Sequence, residues 1–184
     1  MNLKKILEME FTNMKQKNLW LLCGIPGSGK STWCAKAIKK PGAVRVSRDV
    51  VRFAMLEDNE DYFAHEDDVF KEFVRLINEN IWDNDVTDIF VDATHLNERS
   101  RNKLLHNIDL RNVVLNAINF IIDFRLACER NDLREGRSRV PQGAMQSMFN
   151  AYRPARKGEK YDYNKVIDMK ITKEGVIAYD IYDF

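Results

Sequence analysis

Gly24-Ile25-Pro26-Gly27-Ser28-Gly29-Lys30-Ser31 has the spacing G-x-x-x-x-G-K-S, and this stretch decides the fold of the chain. It follows an apolar run at 19–23 and leads into a segment of helical character at 31–38. A strand, a glycine-rich loop and a helix in that order form a phosphate-binding loop, or P-loop. The glycines let backbone N–H groups turn inward without a Cβ clash, at a helix N-terminus where anions bind. The sequence therefore predicts binding of a nucleoside triphosphate.

The P-loop residues have separate predicted roles. Lys30 would reach the β- and γ-phosphates, and the Ser31 hydroxyl would ligate Mg²⁺. ATP and Mg²⁺ are therefore the expected cofactors. An ordinary glycine-rich turn is the alternative, but every motif position is filled and both flanks fit. Contacts to the nucleotide are predicted for Gly27, Ser28, Gly29, Lys30, Ser31 and Thr32.

Length and composition indicate one ordinary globular domain. The 184 residues are enough to bury a sheet between helices, and we expect a lead-in segment at 1–17 followed by the P-loop domain at 18–184. The content of 45% hydrophobic and 31% charged residues is typical of such domains. No apolar stretch reaches the length of a membrane span, so no membrane partner is expected.

The cysteines and histidines show no metal-binding pattern. Cys23, Cys34 and Cys128 have neither ligand spacing nor a C-x-x-C pair, and residues 1–17 lack the pattern of a signal peptide. We therefore expect reduced, packed cysteines and a cytoplasmic location. His95 is the one histidine close to the predicted site in sequence, and packing is the favoured role for it.

Charge is distributed unevenly behind a net charge of +1. Residues 57–88 carry twelve acidic side chains against Lys71 and Arg75, a local balance of −10. Residues 125–160 carry nine basic side chains against four acidic ones, a balance of +5. The basic block is compatible with phosphate handling, whereas a solvated surface is the favoured interpretation of the acidic block.

Apolar periodicity predicts strands that alternate with helices along the chain. The predicted strands lie at 18–23, 43–46, 89–91 and within 113–122, with a hairpin of 165–171 and 176–181 at the end. The predicted helices lie at 31–38, 48–56, around 70–81, 97–108, 126–135 and 141–152, with Pro141 at the first helical position. This order is typical of an α/β fold of the P-loop NTPase type, with a mainly parallel sheet and helices on both faces.

A first polar cluster, Ser47-Arg48-Asp49-Val50-Val51-Arg52, follows the second predicted strand. Side chains at the carboxyl ends of parallel strands line the ligand crevice, so Asp49 should lie on the same edge as the P-loop. Its carboxylate can accept the proton of an attacking hydroxyl, and Arg52, on the same helix face, can clamp an acceptor phosphate. A helix N-cap at Asp49 with a solvated Arg52 is the equally weighted alternative.

A second cluster runs from Phe90 to Arg99, where an apolar strand ends in Asp92. That pattern resembles a Walker B strand, whose carboxylate approaches the Mg²⁺ shell or orients a partner in the site. Thr94 and Asn97 can contact substrate or cap the following helix, and capping is preferred.

A third cluster places Arg134, Arg137 and Arg139 around Gly136, which breaks a helix. Arginine donors on a closing lid stabilise the charge that develops during phosphoryl transfer and exclude water. The alternative, an exposed basic loop, is less favoured because a P-loop kinase needs such a lid. We therefore predict that Arg134 and Arg137 contact the nucleotide.

Together these clusters resemble the kinase domain of phage polynucleotide 5′-hydroxyl kinase and its P-loop relatives. The resemblance covers about residues 18–152 and rests on G-I-P-G-S-G-K-S-T-W (24–33), S-R-D-V-V-R (47–52), D-A-T-H-L-N-E-R (92–99) and R-N-D-L-R (130–134). It implies that Asp49 is the general base and that Arg52 contacts acceptor phosphate. It also implies that Asp92 holds the acceptor side of the site in place and that Arg134 is the lid arginine on the ATP phosphates. Thr94 is a further predicted substrate contact.

The function expected from the resemblance is transfer of the ATP γ-phosphate to a 5′-hydroxyl end of RNA or DNA. A P-loop kinase of a small metabolite or nucleoside is one alternative. A nucleotide-binding module without transfer activity is the other, and the Asp49 and Arg52 pair disfavours it because a switch needs no acceptor base. The departure from the family is the chain's own arrangement of lid arginines between Arg134 and Pro141.

Overall fold

The computed structural model describes residues 15–57 and 60–183, so most of the expected lead-in segment lies outside it. Lys17 belongs to the first strand and not to the lead-in. The strands are β1 (Lys17–Cys23), β2 (Ala43–Ser47), β3 (Asp88–Asp92), β4 (Val113–Ile122), β5 (Lys165–Thr172) and β6 (Gly175–Asp183). The helices are α1 (Lys30–Ala37), α2 (Arg48–Met55), α3 (Glu66–Trp82), α4 (Glu98–Leu105), α5 (Phe124–Asp132) and α6 (Gln142–Ala151), with a 3₁₀ turn at Gly136–Ser138.

The strands form one six-stranded sheet in the order β2-β3-β1-β4-β5-β6. All neighbouring pairs are parallel except β5 and β6, which form an antiparallel hairpin. The predicted α/β fold, its mainly parallel sheet and its terminal hairpin are confirmed. Because the parallel strands need crossover helices, both faces of the sheet are covered.

The strand that precedes the P-loop lies inside the sheet and is buried on both faces. Successive side chains of a strand point to opposite faces. Leu19, Leu21 and Cys23 accordingly join the core formed with α2, α3 and α4, whereas Leu22 joins the core formed with α1, α5 and α6. The predicted packing of Cys23 and Cys34 is confirmed, since both are fully buried.

Side-chain caps set where the helices next to the site begin. The Ser47 hydroxyl accepts from the backbone N–H of Val50 and caps α2. Asn97 and Ser100 form a reciprocal capping box at the start of α4. Pro141 is the N-cap residue of α6 with ψ of 143°, and not its first helical residue as predicted. An extended ψ at that position keeps Pro141 outside the helix.

The carboxyl ends of the parallel strands meet at one edge of the sheet. The P-loop follows β1, the α2 N-terminus follows β2, Asp92 ends β3, and α5 follows β4. Ligands bind at this edge in open α/β sheets. Within the described residues no helix is long and apolar enough to cross a membrane.

Candidate active site

The P-loop backbone requires glycine at two positions. Gly27 and Gly29 have φ of 81° and 90°, a left-handed region that side chains with a Cβ rarely adopt. A Cβ on Gly27 would also lie 2.5 Å from the carbonyl oxygen of Ala127 at the start of α5. These constraints keep the loop backbone close to α5, so the loop and the segment after α5 form opposite walls of one site.

Lys30 is held inside the loop with its ammonium group enclosed. The residue is 8% exposed, and its Nζ donates to the carbonyl oxygens of Gly24 at 2.8 Å and Ile25 at 2.9 Å. Burial lowers the Lys30 pKa to about 8, although the carboxylates of Asp92 and Asp49 oppose that shift. A triphosphate at the loop would add the anion that this buried cation lacks.

The pKa of Lys30 makes ATP affinity depend on pH. Below a pH of about 8 the side chain is an ammonium ion, and above it the free protein must take up a proton to present that charge to ATP. We expect the affinity to be flat near neutral pH and then to fall by up to about tenfold per pH unit. Titration of ATP binding from about pH 7 to about pH 9.5 would measure this.

Lys30→Arg is the control for this pH dependence, because the guanidinium stays charged throughout the range. Its ATP affinity should lack the alkaline fall, whatever its absolute value. A wild-type affinity that stays constant over the same range would contradict the assignment.

Ser31 and Asp92 bring two oxygen ligands together beside the loop. The Ser31 hydroxyl donates to Asp92 Oδ2 at 2.8 Å, and Arg45 Nε donates to the same oxygen at 2.9 Å. A hydroxyl and a carboxylate are hard donors that suit Mg²⁺ shared with nucleotide phosphates. These residues therefore fit the expected Mg²⁺. Asp92 lies on the P-loop side, where its contacts favour the Walker B interpretation, and its predicted acceptor-side role stays a prediction.

Arg45 was not predicted from the sequence. It lies on β2, and only the pairing of β2 with β3 brings it to Asp92. Its guanidinium balances the charge of a carboxylate that is 5% exposed. No sequence signal marks it, because an arginine inside an apolar strand has no spacing motif.

A cavity of about 440 Å³ extends from the P-loop toward the β5–β6 hairpin. Arg134 lines it, together with the loop residues Gly27, Ser28, Gly29 and Thr32, and its predicted contact with ATP stays a prediction. Arg130 lines it as well, donates to the carbonyl of Thr172 at 2.8 Å and lies 3.9 Å from where a Cβ on Gly29 would be. Arg130 was not predicted; the available signal was its position four residues before Arg134.

Asp49 presents an exposed carboxylate from the first turn of α2. The N-cap of α2 is Ser47, so the N-cap alternative for Asp49 is wrong. The Asp49 side chain is 66% exposed, and its Oδ1 accepts from Arg52 at 3.1 Å and from the Tyr62 hydroxyl at 2.8 Å. Two donors on one oxygen hold the carboxylate in place while leaving it accessible to an acceptor.

Arg52 is buried, with its side chain only 5% exposed. It donates to Asp49, to the Tyr62 hydroxyl at 2.8 Å and to Glu66 at 2.5 Å, and Arg48 also pairs with Glu66. The predicted contact with acceptor phosphate stays a prediction, whereas the contacts present favour positioning of Asp49.

Tyr62 is a further residue that sequence reasoning missed. Its hydroxyl lies between Arg52 and Asp49, and the Arg52 guanidinium lies 4.3 Å from the ring centroid. Burial and the nearby Asp49 carboxylate raise the Tyr62 pKa to about 12, so the hydroxyl remains a donor at neutral pH. Tyr62 lies within the acidic block of residues 57–88. Because that block was interpreted as solvated surface, nothing in the sequence placed Tyr62 in the site.

The segment after β3 packs against the start of the P-loop. Asn97 caps α4, as preferred, but Thr94 is not its cap: the Thr94 carbonyl accepts from the Gly24 N–H at 2.9 Å. The substrate contact implied for Thr94 stays a prediction. His95 is 5% exposed, and burial lowers its pKa to about 3, which keeps the imidazole neutral and agrees with a packing role.

The two predicted lid arginines point to different parts of the site. Arg134 lines the nucleotide cavity and donates to the Ser138 carbonyl at 3.4 Å. Arg137 instead donates to the Glu57 carbonyl at 2.8 Å and lies 5.9 Å from the centroid of the Phe53 ring. Its predicted contact with ATP stays a prediction, and its present contacts lie beside α2, on the side of Asp49.

A P-loop that follows an inner parallel strand, faced by a carboxylate at the end of the neighbouring strand, defines a nucleotide-binding P-loop fold. Residues 19–155 match the model of the AAA domain family, and the chain belongs to that family. No protein of curated function matches the chain.

Several solved structures share this fold, including an RNA kinase and a sugar kinase. A chain of the Pnkp1/Rnl/Hen1 RNA repair complex matches 76% of this chain with a TM-score of 0.62 and 22% identity. A fungal RNA kinase matches 88% of this chain and 78% of its own, with a TM-score of 0.59 and 16% identity. A sugar kinase from Janibacter sp. HTCC2649 matches 84% of this chain and 85% of its own, with a TM-score of 0.57 and 16% identity. This chain spans 45% of the repair-complex chain it matches.

Proposed function

We propose that this protein is an ATP-dependent kinase that transfers the γ-phosphoryl group to a 5′-hydroxyl end of RNA or DNA. The observation that carries the proposal is Asp49, an exposed carboxylate held by Arg52 and Tyr62 on the same sheet edge as the P-loop. A nucleotide switch has no use for such a proton acceptor. The shared fold of RNA kinases and sugar kinases supports phosphoryl transfer to an alcohol, and the motif resemblance favours the polynucleotide acceptor.

In the proposed reaction Asp49 accepts the proton as the acceptor oxygen attacks the γ-phosphorus. The bond from the acceptor oxygen to phosphorus forms, and the bond from that phosphorus to the bridging oxygen of ADP breaks. Lys30 and Arg130 hold the phosphates from the loop and from α5, while Arg134 faces the charge that spreads over the transferring group. Ser31 and Asp92 would hold Mg²⁺, which neutralises phosphate charge when bound.

Incubation with labelled ATP and a panel of acceptors tests the proposal. The panel contains 5′-hydroxyl RNA and DNA oligonucleotides, free nucleosides and sugars. We expect label on the oligonucleotide ends. Label on nucleosides or sugars alone would support the second candidate, a small-molecule kinase, which the acidic residues around Asp49 favour because they repel a polyanion. Nucleotide binding without transfer to any acceptor would indicate a binding module.

Arg134→Ala is expected to lower kcat by roughly 10³-fold, the scale of an arginine that stabilises the transition state. Charge develops on the γ-phosphoryl group only during transfer, so ATP affinity should change much less than kcat. Steady-state kinetics with a 5′-hydroxyl oligonucleotide measure both quantities. Lys at position 134 should rescue poorly, because a point charge lacks the two-donor fork of a guanidinium.

Arg137→Ala is the matched lid variant, because its guanidinium contacts Glu57 and Phe53 and not the nucleotide cavity. Its effect on kcat should be smaller than that of Arg134→Ala. A variant at 134 that alters only the KM for ATP would show that the segment is not a catalytic lid.

A further inference from the structure

Three neighbouring aromatic side chains, two exposed phenylalanines and a half-buried tyrosine, form a surface beside the proposed catalytic base. Phe53, Tyr62 and Phe63 make up this aromatic surface, with ring centroids 6.0 Å apart for Phe53 and Tyr62 and 5.1 Å apart for Tyr62 and Phe63. The rings meet edge to face, at interplanar angles of 67° and 87°. Phe63 is 64% exposed and Phe53 is 37% exposed. Exposed large apolar side chains that adjoin one another mark binding surfaces more often than isolated ones do.

The aromatic surface is connected directly to the reacting group. The Tyr62 hydroxyl donates to Asp49 Oδ1 at 2.8 Å. The middle residue of the aromatic surface therefore contacts the proposed general base directly. Phe53 lies four residues after Asp49 on α2 and therefore shares its helix face. A ligand whose hydroxyl reaches Asp49 would place its next few atoms over these rings.

The segment that carries the lid arginines contacts the same aromatic surface. Arg137 lies 5.9 Å from the centroid of the Phe53 ring and donates to the Glu57 carbonyl, although it is 80 residues away along the chain. Arg137 therefore brings a guanidinium group to the aromatic surface. A flat ligand on that surface would have aromatic rings on one side and a guanidinium plane nearby.

The charges around the aromatic surface disfavour a phosphate chain as its ligand. Arg52 is paired with Asp49 and Glu66, and Arg48 is also paired with Glu66. Glu60 and Asp61 lie two residues and one residue before Tyr62 in the sequence, and their carboxylates add negative charge. An uncharged flat group gains from the exposed rings without meeting this repulsion.

We propose that Phe53 and Phe63 stack the nucleobase of the terminal nucleotide whose 5′-hydroxyl is phosphorylated, an inference that rests on the proposed function. A nucleobase is uncharged and flat, and one ribose separates it from the 5′-hydroxyl of the same nucleotide. This arrangement matches an aromatic surface that lies directly beside Asp49. A base that stacks on protein rings must leave its own neighbour in the nucleic acid. Single-stranded and overhanging ends are therefore better acceptors than blunt duplex ends.

Phe63→Ala and Phe53→Ala test the proposal with two oligonucleotides, one complete and one lacking its 5′-terminal base. Each variant should raise the KM of the complete oligonucleotide by about tenfold, the scale of one base–aromatic stack, and leave kcat nearly unchanged. The wild type should lose a similar factor with the abasic oligonucleotide. With the abasic oligonucleotide, the KM of each variant should differ little from that of the wild type, because the aromatic ring and the nucleobase contribute only when both are present. Phe63→Trp should keep the KM of the complete oligonucleotide near the wild-type value, because tryptophan also offers a ring for stacking.

Trp82→Ala is the matched control, because Trp82 is 41% exposed at the end of α3 and lies beside Arg111, just before the start of β4 and away from the carboxyl ends of the strands. It should leave the KM unchanged. Equal losses in Phe63→Ala with the complete and the abasic oligonucleotide, or no loss with either, would overturn the stacking proposal while leaving the proposed function intact. A wild-type protein that phosphorylates no oligonucleotide at all would overturn both.

Discussion

Lys30→Ala is expected to lower phosphoryl transfer by at least about three orders of magnitude and to weaken ATP binding. The ammonium group is enclosed by the loop, 8% exposed, and donates to the carbonyls of Gly24 and Ile25. Alanine removes the charge that would face the β- and γ-phosphates, and no water can replace it with the same geometry. Transfer of label from ATP to a 5′-hydroxyl oligonucleotide, together with ATP titration, measures the two effects.

The control for this change is Lys39→Ala, which removes an exposed lysine just beyond α1. It should retain wild-type transfer. The folded state of Lys30→Ala should not be less stable than that of the wild type, because burial of the Lys30 ammonium, which lowers its pKa to about 8, opposes folding. Wild-type transfer in Lys30→Ala would show that the loop has only a structural role.

Asp49→Asn is expected to lower the transfer rate by about two to four orders of magnitude, the range for loss of a general base. Asparagine keeps the size of the side chain and an oxygen that can accept from Arg52 and Tyr62, but it takes up no proton. The side chain is 66% exposed and α2 is capped by Ser47, so the melting temperature should stay near that of the wild type. Single-turnover kinetics at saturating ATP isolate the chemical step.

Asp67→Asn provides the matched control, an exposed carboxylate in the first turn of α3 within the same acidic block. It should leave the rate unchanged. A full rate in Asp49→Asn would place the base elsewhere. A collapse in melting temperature with an active folded remainder would mean that Asp49 is structural.

Local sequence was sufficient for the elements of the fold. The P-loop spacing, the apolar run of β1 and the periodicity of α3 each lie within a short window, so their physical causes are local. The strands and helices lie close to where they were predicted, and the differences are at helix ends: two helices end at Leu105 and Asp132, three residues earlier than predicted, and Pro141 lies just outside its helix. The edge shared by Lys30 and Asp49 followed from parallel strand topology alone.

The contacts between side chains within the site could not be predicted from local sequence. Arg45 and Asp92 are 47 residues apart, and only the register of β2 against β3 brings them together. Tyr62 reaches Asp49 because a stretch of the acidic block folds back over α2, and nothing in its composition distinguishes that tyrosine from a surface residue. Arg137 carries the same charge as Arg134 but lies against α2.

The sequence by itself therefore determined the P-loop, the α/β architecture and the residue types available for chemistry, because these depend on spacing and periodicity along the chain. Only the tertiary structure decided which side chain meets which. Contacts such as Tyr62 with Asp49, Arg130 with the P-loop and Phe53 with Arg137 join distant segments, and their distances depend on the packing of every element between them.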